Sequence, residues 1–151
     1  MTELKSVVHC GGNGFFVGIS PGGHSLVIET DGGRASAPTP IELLLVAVGS
    51  CMGSDVIEIL RKKRERVTDY HIDIRGMRRA EFPRRFEAIH LHHVVTGLRI
   101  SRQAVEQAVQ LADEKYCSVA ATLRPSASVT TSFEVLEPSV PICAAAEVEP
   151  Q

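Results

Sequence analysis

The chain has no tryptophan, and only two tyrosines and five phenylalanines among its 151 residues. It also lacks an excess of either charge: 16 Lys and Arg stand against 18 Asp and Glu, a formal net charge of −2. A surface built to grip nucleic acid needs basic charge and stacking platforms, so this composition disfavours that class of function. No membrane span is expected either. The longest apolar stretch starts at Leu43, and Glu42, Asp55 and Glu58 leave it well short of the roughly 20 uncharged residues a bilayer requires. CxxC spacing is absent: the four cysteines stand at 10, 51, 117 and 143 with no apolar leader ahead of them. That disfavours zinc ribbons and small extracellular disulfide frameworks, and points to a cytoplasmic domain with reduced thiols. A chain of this length buries about 70% of its extended-chain surface, so it needs no covalent staple. The cysteines are free for chemistry.

What is present is an ordered series of elements. From residue 5 to 34, short apolar runs (Val7-Val8, Phe15 to Ile19, Leu26 to Thr30) are punctuated by Gly11 to Gly14, Pro21-Gly22-Gly23 and Asp31-Gly32-Gly33. This predicts a meander of two or three strands. Thr39-Pro40-Ile41-Glu42 then carries a helix start, with Thr39 as cap, Pro40 in the first turn and Glu42 closing a capping box. Apolar residues on every face of the following helix predict burial on most sides, and Arg61 to Arg64 end it with cations the dipole favours. Alternation at Tyr70, Ile72 and Ile74, and again at Ile89, Leu91 and His93, predicts two strands joined by an exposed link over 76–85. A second helix opens at Ser101, with Val105, Ala108, Val109 and Ala112 as its buried stripe. A helical turn over 118–123 stops before Pro125, and a last strand places Val129, Thr131, Phe133 and Val135 on one face. The order reads as α+β with a mostly antiparallel sheet, one domain over 1–137 and a loose tail over 138–151.

Two cysteines have contexts that suggest chemistry. Cys51 lies in Gly49-Ser50-Cys51-Met52-Gly53-Ser54, where small residues crowd one sulfur inside a helix. Each Gly costs about 1 kcal/mol relative to Ala in a helix, which implies that a helix backbone or a substrate approaches there. Cys117 falls where one helix ends and another begins, so the dipole of the second is expected to lower its pKa. Burial as a small packing residue is the plain alternative for both.

The segment Thr39 to Met52, with Asp113-Glu114-Lys115-Tyr116-Cys117-Ser118-Val119-Ala120 downstream, resembles the OsmC/Ohr family and most closely its YhfA-like branch, over roughly residues 5–137. The resemblance implies an OsmC-like fold: antiparallel sheets around a buried central apolar helix, in an intertwined homodimer with active sites at the subunit interface. It further implies a thiol-dependent peroxidase that reduces small organic hydroperoxides, with Cys51 as the peroxidatic and Cys117 as the resolving cysteine. An external dithiol would then reduce their disulfide. Neither cofactor nor metal enters such a cycle. Better-known members place a Glu directly after the helix-opening Pro, where it orients an active-site Arg from the N-terminal strand region. Here Ile41 holds that position and Glu42 follows it, while residues 6–33 contain neither Arg nor Lys, so Arg34 is the nearest candidate. The alternative reading is a non-catalytic dimer of the same fold that binds a small apolar ligand or senses oxidants.

Weaker constellations remain. His90 and His92 share a strand face and, with His71, have the residue type of a metal site, although solvent-facing histidines are commoner. Residues 61–85 hold ten of the sixteen basic residues against four acidic ones, consistent with a solvated face or an anionic partner. Cys10 and Cys143 belong to no motif.

Overall fold

The computed structural model describes residues 1–30 and 33–138; Cys143 and the rest of the expected tail beyond Pro138 lie outside the described residues. Three strands come first: β1 (Val7–Gly12), β2 (Phe15–Ile19) and β3 (Ser25–Glu29), an antiparallel sheet in sequence order. The β1–β2 reversal uses Asn13 and Gly14, both with positive φ (50° and 79°), the geometry of a tight hairpin turn. This sheet touches the rest of the chain only sparsely. It leaves Val7, Val8, Leu26 and Val27 exposed.

The chain then passes over Glu29 into helix α1 (Pro40–Lys62). Glu29 is fully buried; its Oε2 accepts the Ser36 N–H at 2.9 Å, and its own N–H donates to the Pro38 carbonyl at 3.1 Å. The expected capping box is present in full: Thr39 Oγ1 accepts the Glu42 N–H, and Glu42 Oε2 accepts the Thr39 N–H at 2.7 Å. Val48, Met52, Val56 and Leu60, spaced by one turn, are completely buried. Each contributes about 2 kcal/mol by leaving water. Within the single chain one side of α1 stays open, with Leu44 36% and Val46 62% exposed. By length and composition α1 is apolar enough to cross a membrane, with a mean hydropathy of 1.9 over its best 18 residues. Its charges therefore do not decide the matter alone. The buried stripe, which shares one core with Ile89, Leu91, Val105 and Ala108, marks it as a core helix.

The remaining elements are β4 (Val67–Arg78), β5 (Phe86–Gly97), α2 (Arg102–Leu111), α3 (Ser118–Leu123) and β6 (Ser128–Leu136). Gly76, Met77 and Arg78, expected in the exposed link, belong to β4. Strands β4 and β5 pair antiparallel, but β6 pairs with β5 in parallel. Three of the four strand pairings among the described residues are antiparallel, as expected, and the parallel one follows from the helical crossover through α2 and α3, long enough to bring the chain back in the same direction. Alternation along β5 sends Ile89, Leu91, His93 and Val95 into the core, where Val105, Ala108 and Ala112 of the second helical segment meet them.

Candidate functional site

Between α2 and α3 the backbone makes one wide π-helical turn, Ala112–Tyr116, closed by the Cys117 N–H donating to the Ala112 carbonyl at 2.9 Å. Such turns are uncommon and often mark functional positions. Its effect is to deliver Cys117 as the cap of α3, where Cys117 Sγ accepts the Ala120 N–H at 3.4 Å and lies 4.0 Å from the Val48 carbonyl of α1. Cys117 is 3% exposed. The Cys51 side chain, half-buried one turn beyond Val48, packs against the same core and acts on Cys117 electrostatically. The structure thus brings together two thiols that lie 66 positions apart in the sequence.

Burial pushes the Cys117 thiol up to about 11, opposed by the Ala120 and Val119 N–H groups and reinforced by Cys51. This corrects the expectation that the start of α3 would lower it: loss of solvation outweighs the short helix and its amides. Among the described residues, no cation is among the groups that shift this thiol. Cys117 Sγ has the Val48 carbonyl as its acceptor, and the neighbouring Cys51 side chain also raises the Cys117 pKa. The two sulfurs are therefore inequivalent. One is buried and holds its proton more tightly than a free thiol; the other is half-buried.

The small residues around Cys51 also have a local explanation. A Cβ on Gly49 would sit 2.2 Å from Ile74 Cδ1, and one on Gly53 would sit 3.1 Å from Ile72 Cδ1 and 3.4 Å from Tyr70 Cε1. The close approach inferred from the sequence is thus made by side chains of β4, rather than by a second helix backbone or a substrate. Ser50 Oγ and Ser54 Oγ donate back to helix carbonyls, the latter to Cys51 O at 2.8 Å. Where α1 and β4 part, they leave an apolar groove of about 550 Å³ along Val46, Gly49, Gly53, Tyr70, Ile72 and Ile74.

The other candidates sit in other contacts. Glu42 serves the α1 cap, and its hydrogen bonds from Thr39 hold the carboxyl below its usual range. Arg34, in the connection to α1, places its guanidinium 5.6 Å from the centre of the Phe15 ring. Cys10 is exposed on β1. His90 and His92 face outward, and both bond Ser132 Oγ at 2.8 Å. Among the described residues no three His, Cys, Asp or Glu side chains are arranged to hold a metal. Much of the basic segment is engaged: Arg61 and Lys62 pair with Glu58, Arg79 with Glu81, and Lys63 Nζ donates to Gln107 at 2.7 Å.

Two buried polar groups carry no motif in the sequence. Tyr70 Oη and His93 Nδ1 are 2.7 Å apart beneath α1, and His93 is fully buried with no partner for Nε2 among the described residues. Glu29 Oε1 is likewise without a hydrogen bond there. Alternation placed His93 on the inner face of β5, but nothing in the sequence indicated its pairing. Burial first, then His92 and His90, lowers His93 to about 4, and burial raises Tyr70.

Comparison with known proteins gives a consistent result. A family model described as "OsmC-like protein" matches residues 32–132. Protein YhfA of Escherichia coli K12 is 42% identical over 121 residues, which cover 80% of this chain and 90% of YhfA. The crystal structure of a hypothetical protein from Aquifex aeolicus VF5 superposes with a TM-score of 0.82 at 35% identity, covering 92% of this chain and all of that one. The organic hydroperoxide resistance protein OhrB of Bacillus subtilis shares the fold at a TM-score of 0.59 and 16% identity, over 88% of this chain and 98% of that one.

Proposed function

The chain belongs to the OsmC-like family, and from that membership and its paired thiols we propose that it is a thiol-dependent peroxidase acting on small organic hydroperoxides. The observation that supports this reading is the proximity of Cys51 and Cys117 in one core, the first half-buried and the second 3% exposed with its pKa raised. The cycle balances as follows. The Cys51 thiolate attacks the terminal peroxide oxygen, the O–O bond breaks, and the alkoxide takes a proton and leaves as an alcohol. The Cys51 sulfenic acid then condenses with Cys117: an S–S bond forms, the S–O bond breaks, and the Cys117 proton leaves with the hydroxyl as water. A dithiol reductant restores both thiols and becomes a disulfide. A peroxidatic thiolate needs a cation or dipole to hold it ionised. Arg34, the cation nearest the start of α1 in the sequence, is the proposed source, while Glu42 remains a cap.

The working unit in this proposal is a homodimer. An apolar helix face with Leu44 and Val46 bare, a groove beside it, and an N-terminal sheet that exposes Val7, Val8, Leu26 and Val27 together form more apolar surface than a single chain covers. A second copy presents complementary apolar surfaces of its own. It is the proposed occupant of the groove.

Reduced protein mixed with cumene hydroperoxide tests the activity. Wild type should consume peroxide and lose two thiols per chain, and Cys117→Ser should stop at a Cys51 sulfenic acid that dimedone captures. If wild type consumes no more peroxide than Cys51→Ser, the enzymatic reading is wrong.

A further inference from the structure

In the proposed cycle disulfide closure depends on how Cys117 is held, and the π-helical turn that holds it is of a rare kind. It is secured from outside itself. Arg124, at the C-terminal end of α3, reaches back across the turn: Nη1 donates to the Asp113 carbonyl at 2.8 Å, and Nη2 pairs with Asp113 Oδ1. Asp113 lies four residues before Cys117 and Arg124 seven after it, so one guanidinium ties the two ends of the segment that carries the thiol. Both groups are partly shielded, with side-chain exposures of 35% and 21%. A second, weaker tie joins Gln110 Nε2 to Glu114 Oε1 at 3.1 Å.

We propose that Arg124, acting through Asp113, is a positioning residue for the resolving thiol: it fixes the turn that sets Cys117 against Cys51 and thereby sets the rate of disulfide closure. The inference rests on the peroxidase reading for its kinetic meaning, but the clamp itself is defined by geometry alone. The guanidinium is suited to the task because its rigid fork serves a carbonyl and a carboxylate of one residue at once. An ammonium on a flexible stem keeps the charge and loses the fork. Neither Arg124 nor Asp113 is in hydrogen-bond contact with Cys51, so attack on peroxide does not depend on them. Condensation does, because it requires both sulfurs within bonding geometry.

The test separates these steps. Full-length wild type, Arg124→Met, Arg124→Lys and Asp113→Asn are mixed with cumene hydroperoxide, and Cys51 sulfenic acid formation (dimedone capture) and disulfide appearance (mass spectrometry) are timed separately. Arg124→Met should form sulfenic acid within twofold of the wild-type rate and close the disulfide about tenfold more slowly, with more Cys51 driven on to the sulfinic acid. Arg124→Lys should close about threefold more slowly. It also keeps the test decisive if Arg124→Met does not fold. In dithiothreitol redox buffers, without any peroxide, the equilibrium constant for the Cys51–Cys117 disulfide should fall in the same order. Wild-type closure rates and equilibria in Arg124→Met, or equal slowing of both kinetic steps, would overturn the proposal. Absence of sulfenic acid in wild type would sink the peroxidase reading, leaving the redox equilibria to decide the clamp.

Discussion

Acidification should destabilise this protein through one residue, His93. The side chain is fully buried, bonds Tyr70 through Nδ1 and has no partner at Nε2 among the described residues, so a second proton on the ring would place a charge in the core with its Nε2 side unpaired. Its folded value is about 4 against an ordinary 6.5. The depressed value fixes the sign: the unfolded chain takes up the proton first as pH falls, so stability is complete above pH 6.5 and drains between 6.5 and 4. At 1.36 kcal/mol per pH unit the full loss is about 3 kcal/mol, of which about 2 kcal/mol falls between pH 7 and pH 5. Urea unfolding under reducing conditions, at pH 7 and pH 5, measures it in wild type and in Tyr70→Phe/His93→Leu, a double variant that leaves no hydroxyl unpaired. The double variant should lose about 2 kcal/mol less than wild type over that interval, whatever its absolute stability. Equal losses in the two proteins would refute the reasoning, because all other titrating groups are common to both.

Two further outcomes follow from packing. Val46→Glu places a charge where the single chain is 62% exposed, so it should change an isolated chain's stability by about 0.5 kcal/mol or less. If a second copy covers that face, the charge loses its water and the dimer dissociates; light scattering should report twice 16.3 kDa for wild type and 16.3 kDa for the variant. A monomeric wild type, or a variant that stays dimeric, would count against the assembly. Gly97→Ala should destabilise by about 3 kcal/mol, since its Cβ would lie 2.2 Å from the Arg66 carbonyl oxygen and 2.8 Å from Ile100 Cδ1. Gly49→Ala should cost less, because the atom it meets is the tip of Ile74, which borders the open groove. Thermal unfolding of the pair checks this, and equal costs would contradict it.

Local signals were legible in the sequence wherever a short stretch of chain determines the outcome. The Thr39–Glu42 capping box, the Ser101 cap of α2 and the alternation of β4 and β5 all depend on neighbours within a few residues, and the structure agrees at each. Features set by distant packing were read less well. The parallel pairing of β6 depends on where a crossover returns. The charge state of Cys117 depends on burial beneath α1, which outweighs the helix start that the sequence did reveal. Glycines beside Cys51 were correctly read as a sign of close approach, but only the fold identifies Ile72, Ile74 and Tyr70 as the groups that approach. The Tyr70–His93 pair had no signal beyond the alternation that sent both inward.

The difference between the two thiols follows from where each sits along its own element. Cys51 occupies the interior of a long helix, where its backbone groups are committed to helical bonding and only the side chain is free to face a partner or a substrate. Cys117 stands at a break, after one wide turn and at the start of a six-residue helix, so its position depends on side chains that bridge the break. In the proposed cycle, a first sulfur on a long helix and a second at a bridged joint suit a reaction whose first step needs a fixed point of attack and whose second needs one sulfur to advance on the other. It also separates the two steps genetically: substitutions in α1 around Gly49 and Gly53 should act on the first, and substitutions at Asp113 and Arg124 on the second.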